Sequence, residues 1–320
     1  MHPDQILRGV SRSFFLSLRV LPAPVRPQIS LAYLLARASD TVADTKAVPR
    51  ERRLELLRSM KAGDLRGVCR LASGQALPAE RLLLENLHEC GAALAGLETG
   101  DQALIRSLLD TIISGQMWDL ETFPGENAAE ASALKDEPEL DRYAYMVAGC
   151  VGEFWTKICA AHCPAFGALD QGEMVSLGVR FGKGLQLVNI LRDMASDLRI
   201  GRCYLPVAEP RALLDPARRP EIQAMYLRRL DAALEHLDAG WRYTLKIPPS
   251  LWRLRLACIW PIWIGLGTIE LLRRSNPLDP AQRVMVSQGR VNGFLAKSVL
   301  FARSDRLLQR TYRNLRAAAA

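Results

Sequence analysis

The sequence lacks the patterns that identify several large classes of protein. It has no internal repeat, no low-complexity run and no linker-like stretch, so we expect one domain over residues 1–320. Alternating apolar and polar runs, which predict strands, are scarce. No G-x-G-x-x-G follows a candidate strand, which excludes a Rossmann module. Recognisable nucleic-acid modules are also missing, so we expect no nucleic-acid partner.

Cysteine chemistry of the metal-binding or disulfide kind is also poorly supported. The seven cysteines are an odd number and contain no C-x-x-C pair. Cys159, His162 and Cys163 are close in sequence, but no second ligand pair stands at zinc spacing. We interpret the cysteines as buried free thiols in a reducing cytosol. The first ten residues lack the long apolar core of a signal peptide, which agrees with a cytoplasmic location.

Long hydrophobic runs are absent as well. The most apolar stretch, Leu256–Ile269, has 14 residues and is interrupted by Pro261. Because a bilayer span needs roughly 20 apolar residues, this stretch predicts a buried core helix. A functional interpretation is compatible with it, namely the wall of an apolar tunnel in which Gly265 and Gly267 leave room.

Positive charge is in excess, with a net charge of +8. A basic chain suits anionic small molecules or an anionic membrane surface. The predicted C-terminal helix, about 292–316, carries basic residues among Phe, Leu and Val: Lys297, Arg303, Arg306, Arg310, Arg313 and Arg316. Two interpretations stay open, a solvated basic face and peripheral contact with anionic lipid at the inner face of the membrane.

Helical periodicity dominates the sequence. The predicted helices are Asp4–Leu18, Pro24–Thr45, Pro49–Ala62, Pro78–Leu97, Asp101–Leu120, Leu140–His162, Gln171–Leu198, Pro220–Ala239, Leu251–Arg274 and Asn292–Arg316. Prolines stand mostly at helix starts, as expected. The stretch Phe123–Pro138 is interpreted as a loop. The pattern predicts an all-α domain with an active cavity between helices.

One predicted helix, followed by a break near Gly201, carries a polar face. Gln186, Asn189, Asp193 and Asp197 follow one another at steps of three, four and four, so they share that face. Like charges one turn apart repel, and partly buried carboxylates need a cation or hydrogen-bond donors. This face is therefore a candidate metal–phosphate site, although such a pair on a helix often marks only a solvated face.

A second helix repeats the arrangement. Asp40 and Asp44 are again one turn apart, Arg37 lies one turn earlier, and Tyr33 precedes it by another turn. Two acidic faces on two long helices can point at each other across a cavity. Since Mg²⁺ prefers oxygen ligands and is often shared with phosphates, we expect bridging Mg²⁺ ions and a diphosphate group there.

Motifs in one consistent order then give a family resemblance. They are SRSFF (Ser11–Phe15), DTVAD (Asp40–Asp44), YAYMVAGCVG (Tyr143–Gly152), LQLVNILRDMASD (Leu185–Asp197) and GRCYLP (Gly201–Pro206). Together they resemble the squalene/phytoene synthase family of head-to-head prenyl synthases, and most of all a bacterial squalene synthase. The resemblance implies a class I isoprenoid synthase-like helical bundle around a central hydrophobic cavity.

The resemblance also implies a reaction and its cofactors. Two farnesyl diphosphates would couple to presqualene diphosphate in a Mg²⁺-dependent step, and NADPH would then reduce that intermediate to squalene. A phytoene or dehydrosqualene synthase without reduction is the main alternative. A non-catalytic helical assembly factor of the same fold is the remote one, since its motif aspartates would be eroded. Both a monomer and a homodimer remain open.

Residue roles follow from the same resemblance. The catalytic set is Tyr143, Asp40, Asp44, Asp193 and Asp197, and the four aspartates with Asn189 would bind Mg²⁺. Candidate substrate-binding residues are Arg12, Ser13, Phe14, Tyr33, Arg37, Val147, Gln186, Asn189, Arg192 and Arg202, with the arginines as diphosphate clamps. Gly149 and Gly152 are further candidates for the prenyl pocket wall, and Gly178, Gly182 and Gly184 for close helix packing. Tyr145 is the rival of Tyr143.

Two segments bear on the choice of product. Thr41 makes the first motif resemble the D-T-x-x-D form of squalene synthases more than the D-D-x-x-D or D-E-x-x-D forms of phytoene and dehydrosqualene synthases. The segment Arg283–Val291 differs from the basic K-I-R-K-G type that squalene synthases commonly place there and that is linked to NADPH. Arg290 is kept and is the candidate NADPH-binding residue, whereas Met285 and Gln288 replace other basic positions.

Overall fold

The structure is a computed structural model that describes residues 3–10, 14–75, 77–282 and 284–320. Its architecture is all-α, which confirms the predicted fold class. The described helices are α1 (Pro3–Val10), α2 (Phe14–Val20), α3 (Arg26–Asp44), α4 (Arg50–Lys61), α5 (Arg66–Cys69), α6 (Pro78–Glu85), α7 (Leu87–Ala95), α8 (Thr99–Thr122), α9 (Glu137–Ala144), α10 (Cys150–His162), α11 (Pro164–Gly167), α12 (Gln171–Arg199), α13 (Arg219–Lys246), α14 (Trp252–Arg274), α15 (Gln288–Phe301) and α16 (Asp305–Ala319). A π-helical turn, Tyr145–Gly149, joins α9 to α10.

The predicted domain contains two compact units. The first consists of Met1–Glu121 and Phe154–Gly167. Helix α3 is its organising element, and α2, α4, α6 and α7 pack against it. Apolar residues recur along α3 at steps of three and four, so one face is buried and the acidic pair lies beside that face.

A buried polar cluster ties three helices of the first unit together. Asp101 of α8 is buried, and its carboxylate is 2.8 Å from Nε2 of His162 in α10. The Gln28 amide of α3 donates to the same carboxylate at 3.0 Å. His162 therefore has a structural partner other than a metal. All seven cysteines are free, and six of them are buried, as the sequence predicted.

The second unit consists of Thr122–Glu153 and Ala168–Ala320 and is built around α12. Helices α13 and α14 and the π-helical turn pack against α12. Asp170 caps its start by accepting from the Glu173 amide at 3.0 Å. Gly201 ends it with φ of +91°, a conformation that side chains other than glycine rarely adopt. The predicted break near Gly201 is confirmed.

Close backbone approach fixes α12 against the π-helical turn and α10. A Cβ atom on Gly182 would lie 2.1 Å from the Ala148 carbonyl oxygen, and one on Gly152 would lie 1.9 Å from that of Gly178. Both glycines are therefore required by packing. This agrees with the packing role predicted for Gly182, and it shows that Gly152, a predicted pocket-wall residue, also packs against backbone.

Several predicted boundaries need correction. The predicted helix Pro78–Leu97 is two helices, α6 and α7, because the chain turns at Asn86. Asn292–Arg316 is also two helices, α15 and α16, with a turn at residues 302–304. Residues 11–13 of the predicted helix Asp4–Leu18 lie outside the described residues. At each split the helical periodicity of the sequence continues although the chain turns.

The stretch predicted as a loop contains a short strand. Strand β1 (Ser132–Ala133) pairs in parallel with β2 (Arg202–Cys203). The Ser132 amide donates to the Gly201 carbonyl at 3.1 Å, and the Leu134 amide donates to the Cys203 carbonyl at 3.0 Å. Pairs this short have no periodicity to detect in sequence, so they depend on tertiary contact.

Helix α14 is longer than the apolar run that predicts it. It has 23 residues and contains Pro261. Together with the preceding turn, Pro249–Arg274 is long and apolar enough to span a membrane by length and composition, and 78% of its most apolar window is buried inside the protein. That burial is what a core helix shows. Leu237 lies 3.1 Å from a Cβ placed on Gly265, and Val286 lies 3.2 Å from one on Gly267, so neither glycine leaves open room.

Candidate active site

The first acidic motif lies at the C-terminal end of α3. Asp40 is half-buried and Asp44 is exposed. The Arg37 guanidinium pairs with Asp40 through Nη1 and with Glu80 of α6 through Nη2, the latter at 2.6 Å. Tyr33, one turn before Arg37, donates its hydroxyl to the Val10 carbonyl at 3.2 Å. Arg37 is thus held between two carboxylates on different helices.

The electrostatics of this face disfavour the charged form of Asp40. Its pKa is raised to about 6, first because the carboxylate is partly removed from water and second because Asp44 is negatively charged. The pairing with Arg37 opposes this rise. A carboxylate held at an elevated pKa by a like charge favours an additional cation nearby, since the cation stabilises its charged form.

The Arg37 guanidinium retains an unused donor. Its Nε is buried and makes no hydrogen bond in the structure. The pKa of Arg37 is raised by its carboxylate neighbours, although burial opposes the rise, so the group stays charged. A buried charged donor of this kind can bind an anion such as a phosphate oxygen.

A buried arginine of the neighbouring helix α4 holds the C-terminal end of α3. Arg53 of α4 is 1% exposed, and its Nη1 donates to the Ala43 carbonyl at 2.8 Å. Ala43 immediately precedes Asp44, so this hydrogen bond satisfies a carbonyl in the last turn of the helix that carries the acidic pair. Nothing in the local sequence pattern identifies Arg53 as a partner of α3.

The second acidic motif lies on α12. Gln186, Asp193 and Asp197 are partly buried, and Asn189 is exposed. The Arg192 guanidinium forms a two-pronged pair with Asp193, with distances of 2.8 Å from Nε to Oδ1 and 2.5 Å from Nη2 to Oδ2. These hydrogen bonds are the main cause of the raised pKa of Arg192. In each motif one aspartate is therefore paired with an arginine of its own helix.

The strand pair positions another predicted clamp. Arg202 belongs to β2 and is partly buried. Gly201, directly before it, lies so close to Gly125 that a Cβ would be 2.7 Å from the Gly125 carbonyl oxygen. The parallel pairing of β2 with β1 fixes Arg202 just beyond the end of α12.

Tyr143 is the more deeply buried of the two candidate tyrosines. It is 8% exposed, its ring stacks on Tyr204 with 4.7 Å between centroids, and its hydroxyl donates to the Tyr204 hydroxyl at 3.2 Å. Phe123 packs edge-on against Tyr204, with 5.1 Å between centroids. Tyr143 therefore belongs to an aromatic cluster that holds its hydroxyl in one place.

Tyr145 has a different environment. Its hydroxyl donates to the Glu153 carboxylate at 3.0 Å, and Lys183 lies over its ring at 5.9 Å from the centroid. Burial and then the bond to Glu153 raise its pKa. Tyr145 begins the π-helical turn, and such turns are frequent at functional sites. Val147, also in that turn, is partly buried.

The other predicted site residues are Arg12, Ser13, Phe14 and Arg290. Arg12 and Ser13 lie outside the described residues, and Phe14 begins α2. Arg290, the candidate NADPH-binding residue, is engaged within the protein. Its Nη2 pairs with Glu270 at 2.6 Å, and its guanidinium lies over the Phe294 ring at 5.5 Å.

Two residues near the motifs were missed by sequence reasoning. Tyr204 stands inside the GRCYLP motif, so the sequence could single out this residue but could not show its pairing with Tyr143. Glu80 has only the ordinary signature of an acid in the first turn of a helix. Its link to Arg37 spans 43 positions in sequence and therefore depends on how α6 packs on α3.

The residue types of the two motifs are those that a hard divalent cation takes as ligands. Each motif supplies two carboxylates one turn apart, and Asn189 adds an amide oxygen on the α12 face. Among the described side chains, no group of three or more His, Cys, Asp and Glu residues is placed to hold a metal. Carboxylate oxygens shared with phosphate oxygens are a common way to bind Mg²⁺.

Comparison with known proteins places the motifs in context. A family model described as squalene/phytoene synthase matches residues 7–290. The presqualene diphosphate synthase of Rhodopseudomonas palustris is 30% identical over 242 residues, which cover 72% of this chain and 74% of the relative. The bifunctional lycopene cyclase/phytoene synthase of Gibberella fujikuroi is 28% identical over 258 residues, which are 76% of this chain and 42% of the relative. The chain thus spans about two fifths of the length of that relative.

A solved structure extends the likeness to three dimensions. The structure of TcSQS with a bound ligand aligns with a TM-score of 0.78 at 22% sequence identity, and the alignment covers 99% of this chain and 91% of that one. Agreement over nearly the whole chain at such low identity shows a shared fold.

Proposed function

The chain belongs to the squalene/phytoene synthase family, whose reaction is the head-to-head condensation of prenyl diphosphates, and we propose that it couples two farnesyl diphosphates to squalene. Presqualene diphosphate is the proposed intermediate. The observation that carries this proposal is the repeated unit of two aspartates one turn apart with one of them paired to an arginine, found on both α3 and α12.

The choice of a C15 substrate rests on two features. The presqualene diphosphate synthase of Rhodopseudomonas palustris is 30% identical to this chain. Thr41 also gives the first motif the D-T-x-x-D form, which resembles the corresponding motif of squalene synthases.

The first half-reaction begins with loss of diphosphate from one farnesyl diphosphate. Arg37 and Arg192 bind diphosphate oxygens through their guanidinium groups, which stay charged throughout. Mg²⁺, when bound by Asp40, Asp44, Asn189, Asp193 and Asp197, would supply the positive charge that stabilises the departing diphosphate. The allylic cation then attacks the double bond of the second farnesyl diphosphate and loses a proton. One diphosphate and one proton leave, and a cyclopropyl diphosphate remains.

Tyr143 is the residue proposed to act beside the cation. Its ring can stabilise positive charge, and its hydroxyl oxygen can assist removal of the proton. The stacking partner Tyr204 keeps the Tyr143 ring from turning away. Because Tyr143 is buried, the cation it faces is protected from water.

The second half-reaction is the ionisation and rearrangement of presqualene diphosphate. A second diphosphate leaves, and NADPH, for which Arg290 is the candidate contact, would supply the hydride that converts the rearranged cation to squalene. A dehydrosqualene or phytoene synthase is the second candidate, because Glu270 and Phe294 already engage Arg290 and a non-reductive synthase needs no nicotinamide contact. In such a non-reductive synthase, the rearranged cation would lose a proton instead of gaining a hydride.

Product analysis tests the proposal. Purified protein is incubated with farnesyl diphosphate and Mg²⁺, with and without NADPH, and in parallel with geranylgeranyl diphosphate. We expect squalene only in the sample with NADPH. Asp40→Ala and Asp193→Ala should abolish turnover, whereas Asp110→Ala, an exposed aspartate of α8, should leave it unchanged.

Each other outcome selects a different function. Dehydrosqualene or presqualene diphosphate in both samples would remove the reductive half-reaction. Turnover of geranylgeranyl diphosphate alone would indicate a phytoene synthase. Folded protein that consumes neither substrate would indicate the non-catalytic assembly factor.

A further inference from the structure

The net charge of the last two helices is almost as large as that of the whole chain. We call residues 288–319, which form α15, α16 and the turn between them, the C-terminal hairpin. Seven Lys or Arg residues against one Asp give it a net charge of +6, compared with +8 for the whole chain. Charge concentrated in this way produces a local positive potential that the average composition does not reveal.

The inner face of the hairpin is packed against the body of the second unit. Ser298 accepts from the Trp260 indole at 2.7 Å, and Phe294 packs edge-on against Trp263 with 5.9 Å between centroids. In α16, Tyr312 stacks on Trp241 with 4.3 Å between centroids. These contacts orient both helices, so their opposite faces point to solvent.

The turn of the hairpin is anchored by a buried arginine. Arg255 of α14 is fully buried, donates to the Ala302 carbonyl at 3.0 Å and pairs with Asp305. Asp305 is the one acidic residue of the hairpin sequence. Arg255 neutralises this charge from the protein interior, so the hairpin has no unpaired acidic residue of its own.

Apolar side chains project from that outer surface. Leu300 is 78% exposed, Val299 is 54% exposed and Leu307 is 39% exposed. Within the described part of the second unit, every exposed large apolar side chain lies between positions 285 and 307, the fourth being Met285. Clustering of this kind marks an interaction surface more than scattered exposure does.

Basic side chains surround the apolar ones. Lys297, Arg303, Arg306, Arg310 and Arg313 are all exposed. No carboxylate partner is found among the described residues for Lys297, Arg306, Arg310 or Arg313, and Arg303 lies over the Trp252 ring at 6.0 Å. The outer face therefore combines apolar side chains with cations that have no internal salt bridge.

We propose that the outer face of the C-terminal hairpin binds the surface of an anionic lipid bilayer. Val299 and Leu300 enter the boundary between headgroups and acyl chains, and the surrounding cations contact lipid phosphates. A second copy of this chain is a poor partner, because it would present the same +6 hairpin and the two faces would repel each other. The surface includes none of the residues assigned to catalysis, so lipid binding and turnover can be measured separately.

Vesicle co-sedimentation of the full chain tests the proposal. Vesicles of equal amounts of phosphatidylglycerol and phosphatidylethanolamine should bind the protein, and phosphatidylcholine vesicles should bind it about tenfold less well. Binding to the anionic vesicles should weaken in about 0.5 M NaCl, since salt screens the charges. The double variant Val299→Asp/Leu300→Glu should bind about tenfold less well or worse, because both apolar contacts are lost and two negative charges are added.

Two matched controls separate this surface from general charge and apolarity. Leu77→Glu alters an apolar side chain of similar exposure in the first unit, and Arg106→Glu alters an exposed arginine of α8. Both should bind vesicles as the wild type does, whereas Arg306→Glu/Arg310→Glu should lose binding to the anionic vesicles.

Some results would overturn the proposal. Equal sedimentation of the wild type and the Val299→Asp/Leu300→Glu variant would do so, provided that both show the same thermal unfolding. A wild-type dimer that this variant converts to a monomer, in the absence of any vesicle binding, would identify the face as a contact between copies.

Discussion

At the scale of single residues, the candidate site depends on ion pairs between arginine side chains and carboxylates. Arg37 is bound by Asp40 on its own helix and by Glu80 on α6. Hydrogen bonds to charged groups contribute about 1.5–3 kcal/mol each. Glu80 and Asp40 thus share one guanidinium through its Nη2 and Nη1 atoms, and we expect their competition for it to leave Asp40 more available to a cation.

Substitution of Glu80 tests this competition. In Glu80→Gln, Arg37 should pair more strongly with Asp40, and the Mg²⁺ concentration for half-maximal activity should rise about tenfold. A Mg²⁺ titration of the turnover rate measures it. Glu85→Gln, on the exposed side of the same helix, is the control. An unchanged Mg²⁺ dependence in Glu80→Gln would mean that Glu80 has only a structural role.

The two tyrosines give a second prediction at this scale. Tyr143→Phe keeps the ring stacked on Tyr204 but removes the hydroxyl, so turnover should fall about 100-fold with little loss of stability. Tyr145→Phe should have a smaller effect, because its hydroxyl bonds Glu153. Product formation and thermal unfolding are measured for both variants. The reverse order of activities would transfer the catalytic role to Tyr145.

At the scale of secondary structure, α12 is positioned by glycine. The contacts of Gly152 with Gly178 and of Gly182 with Ala148 let the π-helical turn approach α12 at backbone distance. The same approach determines where Tyr143, at the end of α9, lies relative to the acidic face of α12 within the second unit. Gly152 and Gly182 therefore act through close backbone packing.

Gly152→Ala should consequently be damaging. The added methyl group would meet the Gly178 carbonyl, and the cost of overpacking should be about 3 kcal/mol of unfolding free energy. Gly293→Ala in α15, which meets nothing within 4 Å, should instead stabilise by about 0.5–1 kcal/mol through helix propensity. Denaturant unfolding of both variants measures the difference. Equal midpoints for the two variants would contradict the packing argument.

At the scale of the whole molecule, ligand binding is linked to folding. The acidic faces and their arginines bring like charges together in each unit, and a ligand that binds only the folded state stabilises it by mass action. Mg²⁺ with a non-hydrolysable farnesyl diphosphate analogue at about 100 times its Kd should add about 2.7 kcal/mol. The melting temperature should therefore rise, and EDTA should reverse the rise.

The aspartate variants provide the comparison for this measurement. Asp40→Asn and Asp193→Asn should each reduce the rise in melting temperature while the unliganded protein stays folded. A rise that persists in both variants would show that the analogue binds elsewhere. The measurement does not require turnover, so it tests the Mg²⁺ assignment independently of which hydrocarbon is made.

The sequence alone determined the features that depend on neighbours within one or two helical turns. The helical periodicity, the shared face of Asp193 and Asp197, and the pair Asp40 and Asp44 follow from a spacing of 3.6 residues per turn. The break at Gly201 follows from the preference of glycine for a positive φ at a helix end. Such features can be recognised from residues that are close together in the sequence. The all-α class could be predicted for that reason, whereas the family resemblance came from sequence motifs in a consistent order.

Only the tertiary structure decided which distant groups meet. Glu80 beside Arg37, Tyr204 beneath Tyr143, and Glu270 on Arg290 are pairings across 43, 61 and 20 positions respectively. The strand pair β1 and β2 and the buried anchor Arg255 are of the same kind. Such contacts leave no periodic pattern, because they arise when helices already formed pack their side chains against one another at distances that the sequence does not contain.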